Sequence, residues 1–146
     1  MNKKFELLLD DTITIFGIKL FRIKALISFG NVEEGEIGGY VEKEDNLSSS
    51  GDAWVSGDAW VYGNAEVYGN ARVSGDADYI VFKNNWSSGR YFTYTRSNKM
   101  WRVGCFYGTG QELIKKAYQD SEESGKHYEA YVEFIEKLEK LEKTND

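Results

Sequence analysis

The sequence predicts a mainly β fold built on a short, left-handed parallel β-helix of the hexapeptide type, and three observations support this. Residues 51 to 80 repeat every six residues without an insertion, and each unit begins with Gly followed by Asp or Asn. The third position is always Ala, and the fifth is Val in four units and Tyr in the last. Side chains alternate along an extended backbone, so both positions face one side while Gly and Asp or Asn form the corner. Such units stack into coils.

The register of the repeat predicts which residues lie side by side. With about three units in a coil, residues about eighteen positions apart should be neighbours. Val55 should therefore lie beside Val73, and Trp54 beside Arg72.

The repeat is also expected to begin before its clearest copies. Counting back in sixes from residue 51 gives seven units over residues 39 to 80 and places Val41 and Leu47 at the alanine position. Seven units make little more than two coils, which bury too little apolar surface to be stable alone. We therefore expect the flanking segments to pack on the repeats.

The flanking segments carry patterns of their own. Residues 12 to 25 alternate between apolar and polar side chains and read as two short strands joined at Gly17. After the repeats, residues 91 to 94 and 100 to 106 predict a hairpin that turns at Ser97 and Asn98.

The end of the chain predicts two helices. Thr109 and Glu112 have the spacing of a capping box, which marks a helix start. Gly125 is expected to end this helix, and apolar residues at intervals of three and four predict a second one after it. We therefore expect one domain over residues 1–146, in four parts: N-terminal strands over 1–38, β-helix repeats over 39–80, strands and a hairpin over 81–108, and a capping helical hairpin over 109–143.

Composition and charge restrict the classes of function. The chain has 18 Lys and Arg against 24 Asp and Glu, a formal net charge of −6. This balance argues against direct nucleic-acid binding and favours a protein partner with a basic surface. No apolar run reaches membrane-spanning length, no signal-peptide pattern follows Met1, and the single cysteine, Cys105, fits a reducing compartment. We expect a cytoplasmic protein that does not contact membranes.

Neither a catalytic site nor a metal or cofactor site is expected. Hexapeptide acyltransferases use a histidine base, but the single histidine here, His127, lies outside the repeats. Cys105 is expected to be a buried small apolar residue. Calcium-binding β-rolls repeat every nine residues, so the Asp and Asn residues of this six-residue repeat are expected to hold turns.

Aromatic side chains on the outside of the predicted coils are candidate binding residues, because Trp and Tyr are enriched at binding hot spots. Together with one outward-facing arginine, the candidates are Trp54, Trp60, Tyr62, Tyr68 and Arg72. Three outcomes stay open for the aromatic residues: flanking segments cover them, they form an oligomer interface, or they bind a partner or ligand. A second candidate pair, Trp86 and Arg90, is of the type that stacks a nucleobase or a guanidinium group.

The order of segments resembles that of a group of bacteriophage and prophage β-helix proteins. The similar segments are residues 20–26, residues 35–42, the repeats, and residues 103–109 with the helices that follow. The resemblance extends over residues 20–143, nearly the whole chain. It implies a phage-borne accessory protein, and it implies neither a reaction nor a set of catalytic residues.

The resemblance and the acidic charge together predict a non-catalytic protein that occupies the surface of a host defence component, such as a CRISPR effector. A sponge for a small signalling nucleotide, bound by aromatic and arginine side chains, is one alternative. A degenerate hexapeptide acyltransferase is another. A homodimer is expected, because a short coil has unpaired strand edges and the second helix carries an apolar stripe.

Overall fold

The computed structural model describes residues 2 to 75 and 78 to 144, with the side chains of the last two of these left out. Among the described residues, strands and a short 3-10 helix lie in the first three quarters of the chain, and two α-helices follow. In chain order the elements are β1 (Phe5–Ile15), β2 (Ile18–Ala25), β3 (Ile37–Val41), the 3-10 helix (Glu44–Asn46), β4 (Trp54–Val55), β5 (Trp60–Val61), β6 (Arg72–Val73), β7 (Tyr79–Lys83), β8 (Tyr91–Thr95), β9 (Met100–Val103), β10 (Phe106–Thr109), α1 (Gly110–Asp120) and α2 (Glu122–Thr144).

The predicted β-helix is wrong, because the described strands form three separate sheets and no continuous solenoid. One sheet has the order β1-β2-β3-β5, a second has the order β10-β9-β8-β7, and a third contains only β4 and β6. The repeat units contribute strands of at most two residues, apart from the last unit, which leads into β7. Each of these short strands forms only two residue pairs with a neighbouring strand. Most of the strand pairing therefore lies in the N-terminal hairpin and the C-terminal sheet.

The repeat register also changes along the chain. Parallel pairing of Trp54 with Arg72 and of Val55 with Val73 has the predicted spacing of eighteen. Before residue 51 the spacing is twenty, since Val41 pairs with Val61 in the same way. Leu47 bridges Val67 at the same offset. Counting back in sixes was therefore wrong by two residues, and these earlier residues occupy the valine position rather than the alanine position.

The inward face of the repeat is nevertheless apolar and buried, as its alternation predicts. The alanines and valines of the described units form one cluster with residues of the N-terminal hairpin and the loop after it. We call this cluster the repeat core. Val55, Val61, Val67 and Val73 each have 0% of their surface exposed within it.

A second cluster, the helix-side core, lies between the C-terminal sheet and the two helices. Its buried residues are Phe92, Tyr94, Trp101, Val103, Leu113, Ala117, Tyr128, Val132 and Ile135. Strand β7 contacts both cores because its side chains alternate: Tyr79 and Val81 pack on the repeat core, while Ile80 and Phe82 pack on the helix-side core. This shared strand places the two halves of the chain against each other.

Several local predictions are confirmed. Strands β1 and β2 form a hairpin that turns at Phe16 and Gly17, and β8 and β9 form a hairpin over the predicted turn. Thr109 caps α1, and its hydroxyl accepts from the Glu112 backbone N–H while the Glu112 carboxylate accepts from Thr109 N–H.

The predicted helix end at Gly125 is wrong. The break lies at Ser121, and Gly125 is inside α2. A Cβ at Gly125 would lie 2.3 Å from the ring of Tyr118 on α1. This glycine therefore permits the close approach of the two helices rather than ending one of them.

Arg22 on β2 ties the N-terminal hairpin to β3 and to a repeat corner. Its guanidinium donates to the carbonyls of Gly38 at 2.9 Å and Gly57 at 3.1 Å. The same group lies 4.2 Å from the centroid of the Tyr40 ring and 3.3 Å from an Asp58 carboxylate oxygen. Both the fork of donors and the planar stacking surface of arginine are used here, so lysine would not replace it.

Lys4 is a buried cation at the edge of the repeat core. Its ammonium donates to the Ser48 carbonyl at 3.0 Å and to the Ala53 carbonyl at 2.7 Å. Burial lowers the pKa of Lys4 from 10.5 to about 8, and the nearby Asp52 carboxylate opposes the shift.

This lowered pKa predicts a pH dependence of stability. Between pH 8 and pH 10 the unfolded chain holds a proton on Lys4 that the folded chain releases, so the contribution of Lys4 to the unfolding free energy should rise with pH. Burial raises the pKa of Tyr128 above its usual value. Tyrosines of this kind lower the unfolding free energy as the pH rises, but this effect begins only near pH 10. Urea unfolding at pH 8, 9 and 10 measures the slope. Lys4→Met should remove this rise, and an equal slope in both proteins would contradict the assignment.

Candidate functional site

An open groove of about 580 Å³ lies where the tip of the β1–β2 hairpin, the repeats and strand β7 meet. We call it the aromatic groove. It is lined by Phe16, Trp60, Tyr62, Gly63, Asn64, Tyr79, Val81 and Tyr91. Five of these eight residues are aromatic, and they come from four different segments of the chain.

The rings of the groove differ in exposure. Phe16 is 91% exposed, Tyr91 is 41% exposed and Tyr62 is 37% exposed. Trp60 and Tyr79 are half-buried, and the Tyr79 hydroxyl donates to the Trp60 carbonyl at 2.9 Å. The floor of the groove is therefore held in place by the fold, while its rim presents apolar surface to solvent.

Phe16 stands out by its backbone as well as its exposure. Phe16 and Gly17 are the two central residues of the β1–β2 turn, with φ values of +51° and +80°. Two-residue hairpin turns with positive φ at both positions favour Asn-Gly or Asp-Gly, because a side chain such as that of Phe is strained there. The chain therefore presents a large apolar ring at a position that favours a small or polar residue.

The structure separates the predicted binding residues of the repeat. Trp60 and Tyr62 lie in the aromatic groove. Trp54 is 0% exposed, so it is not available to bind a partner. The loop before β3 covers it, and the Phe29 ring meets the indole edge-to-face at 5.4 Å between centroids. Of the outcomes left open for these aromatics, burial under a flanking segment applies to Trp54.

Tyr68 and Arg72 lie outside the groove. The Arg102 guanidinium lies 4.0 Å from the centroid of the half-buried Tyr68 ring and contacts a Glu66 carboxylate oxygen at 3.4 Å. Arg72 is half-buried on β6, and its backbone N–H donates to the Ser97 hydroxyl at 2.7 Å. Neither residue joins the surface formed by Trp60 and Tyr62.

The predicted pair of Trp86 and Arg90 does not form a stacking platform. The Trp86 ring is stacked on His127, with centroids 4.3 Å apart and 12° between the planes. Its indole N–H donates to the Ser124 hydroxyl at 3.3 Å. Trp86 thus closes an edge of the helix-side core, while the Arg90 side chain lines a separate cavity.

Cys105 is exposed, which corrects the prediction that it is buried. It lies in the two-residue turn between β9 and β10, where Val103 pairs with Phe106. The alternation of apolar residues around it indicated a strand, but the turn begins one residue earlier, at Gly104, which has a φ of +56°.

Among the described residues, His127 and Tyr94 are each held by neighbouring groups. The His127 Nδ1 atom lies 2.8 Å from the Glu123 carbonyl oxygen, and its ring is stacked on Trp86. Burial and a hydrogen bond to Glu139 raise the pKa of Tyr94 above its usual value, which favours the neutral phenol. Across residues 2–75 and 78–144, no group of three His, Cys, Asp or Glu side chains is placed to hold a metal ion.

Sequence reasoning missed three of the five aromatic residues of the groove: Phe16, Tyr79 and Tyr91. The signal for Phe16 is local, since a large apolar residue before Gly17 is unusual in a two-residue hairpin turn. The repeat pattern assigns Tyr79 to the inward face of the last unit, and the hairpin pattern assigns Tyr91 to a strand. Their meeting with Trp60 depends on how the C-terminal sheet packs on the repeats, which no spacing in the sequence encodes.

Two further findings bear on the class of protein. In the part of the chain that the structure describes, neither helix is both long and apolar enough to span a membrane. Comparison with known proteins does not assign a family: no protein-family model matches the sequence, and no curated protein is significantly similar to it.

Proposed function

We propose that this chain is a non-catalytic binding protein and that the aromatic groove is its binding surface for a partner protein. The observation that carries the proposal is Phe16. A non-glycine residue at positive φ costs about 1–2 kcal/mol, and an exposed phenyl ring contributes little to the folded core in return. Strain and exposed apolar surface at one residue are typical of sites retained for binding.

The groove has the composition of a binding hot spot. Tyrosine and tryptophan bury a large area with few rotatable bonds, and they dominate the energy of protein interfaces when water is excluded around them. The Tyr79 side chain is already held by the hydrogen bond from its hydroxyl to the Trp60 carbonyl, so little side-chain entropy would be lost at Tyr79 on binding. Phe16, Tyr62 and Tyr91 supply the exposed surface that a partner would cover.

Charge specifies the chemistry of the partner. Residues 1 to 75 contain twelve Asp and Glu against seven Lys and Arg, a net charge of −5, so most of the net charge of −6 lies in the half that contains Trp60. The Asp58 side chain, two residues before Trp60, is paired with Arg22, and none of the described residues that line the groove is charged. The net negative charge of this half and the aromatic rings of the groove together suit arginine and lysine side chains of a partner. The proposed partner therefore presents a basic surface.

The resemblance to phage proteins supports a narrower form of the proposal. A phage-borne acidic protein that binds a basic surface in the host cytoplasm fits an inhibitor of a host defence component, such as a CRISPR effector. The stacking of Trp86 on His127 removes one support from the nucleotide-sponge alternative. The position of His127 beside Trp86 gives no support to an acyltransferase base.

Self-association belongs to the same proposal. On α2, Phe134 is 49% exposed and Leu141 is 61% exposed; seven residues apart on a helix, they lie on one face. Strand β1 is also an edge of its sheet. We expect a homodimer through one of these surfaces. Light scattering that reports a monomer at micromolar concentration would contradict this part of the proposal.

Affinity capture from bacterial lysate tests the binding function. The wild-type protein should retain a specific partner that is released as the salt concentration rises. Salt screens the attraction between the basic surface of the partner and this acidic protein. Trp60→Ala should weaken this binding by about 2 kcal/mol or more, roughly 30-fold. The partner, once identified, is then titrated against each variant.

Leu9→Ala is the matched control. Leu9 is 76% exposed on β1 but does not line the groove, so its replacement should leave capture unchanged. If Trp60→Ala and Leu9→Ala retain the partner equally well, the groove is not the binding surface.

A further inference from the structure

A second cavity, of about 370 Å³, lies between α1, the start of α2, the loop of residues 84–90 and the β9–β10 turn. We call it the Arg90 cavity. Its apolar side is formed by Val103, Phe106, Leu113 and Ala117. Its polar side includes three serines, Ser87, Ser88 and Ser124. No residue lines both this cavity and the aromatic groove.

Arg90 is the uncompensated charge of the cavity. Two other charged residues line it, Lys116 and Asp120, and they pair with each other at 3.1 Å. Within residues 2–75 and 78–144, Arg90 makes no ion pair. The guanidinium packs closely over Gly104, where an added Cβ would lie 2.6 Å from Nη1. Its position therefore depends on a residue without a side chain, although no carboxylate holds it there.

Asn84 gives a second, independent observation. It is 6% exposed, and its backbone N–H donates to the Arg90 carbonyl at 2.7 Å, which closes the loop. The side-chain Nδ2 donates to the Tyr128 hydroxyl at 3.3 Å, but Oδ1 has no hydrogen-bond partner among the described residues. Buried polar atoms in folded proteins are nearly always paired with protein groups or with ordered water, so this acceptor on a residue that lines the cavity is a place where a water or a bound molecule would donate.

From these features we infer that the Arg90 cavity binds a small organic carboxylate with a short apolar body. A planar carboxylate accepts two parallel hydrogen bonds from a guanidinium, and one uncompensated arginine matches one negative charge. The apolar side receives the body of the ligand. A hydroxyl next to the carboxylate would supply a donor for Asn84. This inference does not depend on the partner-binding role of the aromatic groove.

Titration of the labelled protein by two-dimensional amide NMR tests the inference with 3-phenyllactate as the probe. Saturable shifts are expected for the amides of Ser88, Cys105 and Lys116. The neutral amide of the same acid should bind at least about ten-fold more weakly, because it lacks the charge-assisted bond to Arg90. Inorganic phosphate, which has no apolar body, should also bind more weakly. Equal binding of phenyllactate and either comparison compound overturns the inference.

Arg90→Gln should weaken phenyllactate binding by about ten-fold or more, which is the expected loss of a charge-assisted hydrogen bond. Arg72→Gln is the control, since Arg72 lies outside the cavity. A second measurement needs no variant: phenyllactate should slow alkylation of the single cysteine, Cys105, by iodoacetamide. Unchanged affinity in Arg90→Gln, or unprotected alkylation at saturating probe, would refute the site.

Discussion

Replacement of Val61 by Asp is expected to prevent folding. Val61 is 0% exposed in the repeat core and pairs with Val41 across two parallel strands. A carboxylate placed there loses its hydration and gains no cation, which costs several kcal/mol or forces the group to stay protonated. Domains of this size are stable by about 5–15 kcal/mol in total. Circular dichroism should show loss of the cooperative thermal transition.

Tyr62→Asp is the matched control for this substitution. It places the same carboxylate one residue further along the chain, where the side chain is 37% exposed and remains hydrated. This variant should keep a cooperative transition. A Val61→Asp protein with wild-type melting behaviour would overturn the assignment of the valine positions to the interior.

Replacement of Trp54 by Ala is expected to destabilise the protein by about 3–5 kcal/mol, the range for removing a large aromatic side chain from a core. Trp54 is 0% exposed and packs against Phe29. It also packs so closely on Gly38 that a Cβ there would lie 2.6 Å from the indole. Equilibrium unfolding in urea measures the change.

Trp60→Ala provides the comparison, since this half-buried ring faces the aromatic groove and its loss should cost about 1 kcal/mol. The two tryptophans occupy the same position in successive repeat units, so the difference between them measures what the covering segment contributes. Similar losses in both variants would contradict the burial of Trp54 by the loop before β3.

The comparison of these tryptophans also shows what the sequence could predict. Alternation along the repeat predicted that Val55 and Val61 face the interior, because that property depends only on neighbouring residues. The capping box at Thr109 and the hairpin at Gly17 are local for the same reason. Whether Trp54 or Trp60 is covered depends on where the N-terminal loop packs. The sequence of the repeat does not distinguish the two, because each tryptophan lies in a Gly-Asp-Ala-Trp-Val unit.

The predicted β-helix failed for a related reason. A six-residue period specifies short inward-facing steps, but it does not specify how many residues separate successive layers. Two extra residues before Gly51 change the pairing distance from eighteen to twenty, so Val41 meets Val61. Strands of two residues then leave most of the sheet pairing to β1, β2 and β7–β10. Similarly, Gly125 looked like a helix end, whereas its role depends on contact with Tyr118 from another helix.

Two of the five aromatic residues of the candidate site were predicted from the sequence. Trp60 and Tyr62 were identified because the repeat defines an outer face. Phe16, Tyr79 and Tyr91 come from a hairpin tip, an edge strand and its neighbour, and only tertiary packing brings them to the same groove. Trp86 looked like a binding residue because a tryptophan and an arginine together can stack a planar group, but the helices bring His127 onto its ring.

The most direct test of the proposed binding role of the aromatic groove is Phe16→Asn, with stability and partner affinity measured on the same preparation. Asparagine adopts positive φ more readily than phenylalanine, so the substitution should stabilise the fold by about 1 kcal/mol and raise Tm by about 2–4 °C. Affinity for the captured partner should fall by about 2 kcal/mol or more because the exposed ring is gone. A variant that is more stable and binds poorly would show that Phe16 is retained for binding. Undiminished affinity in a stabilised variant would contradict the proposed role of the aromatic groove.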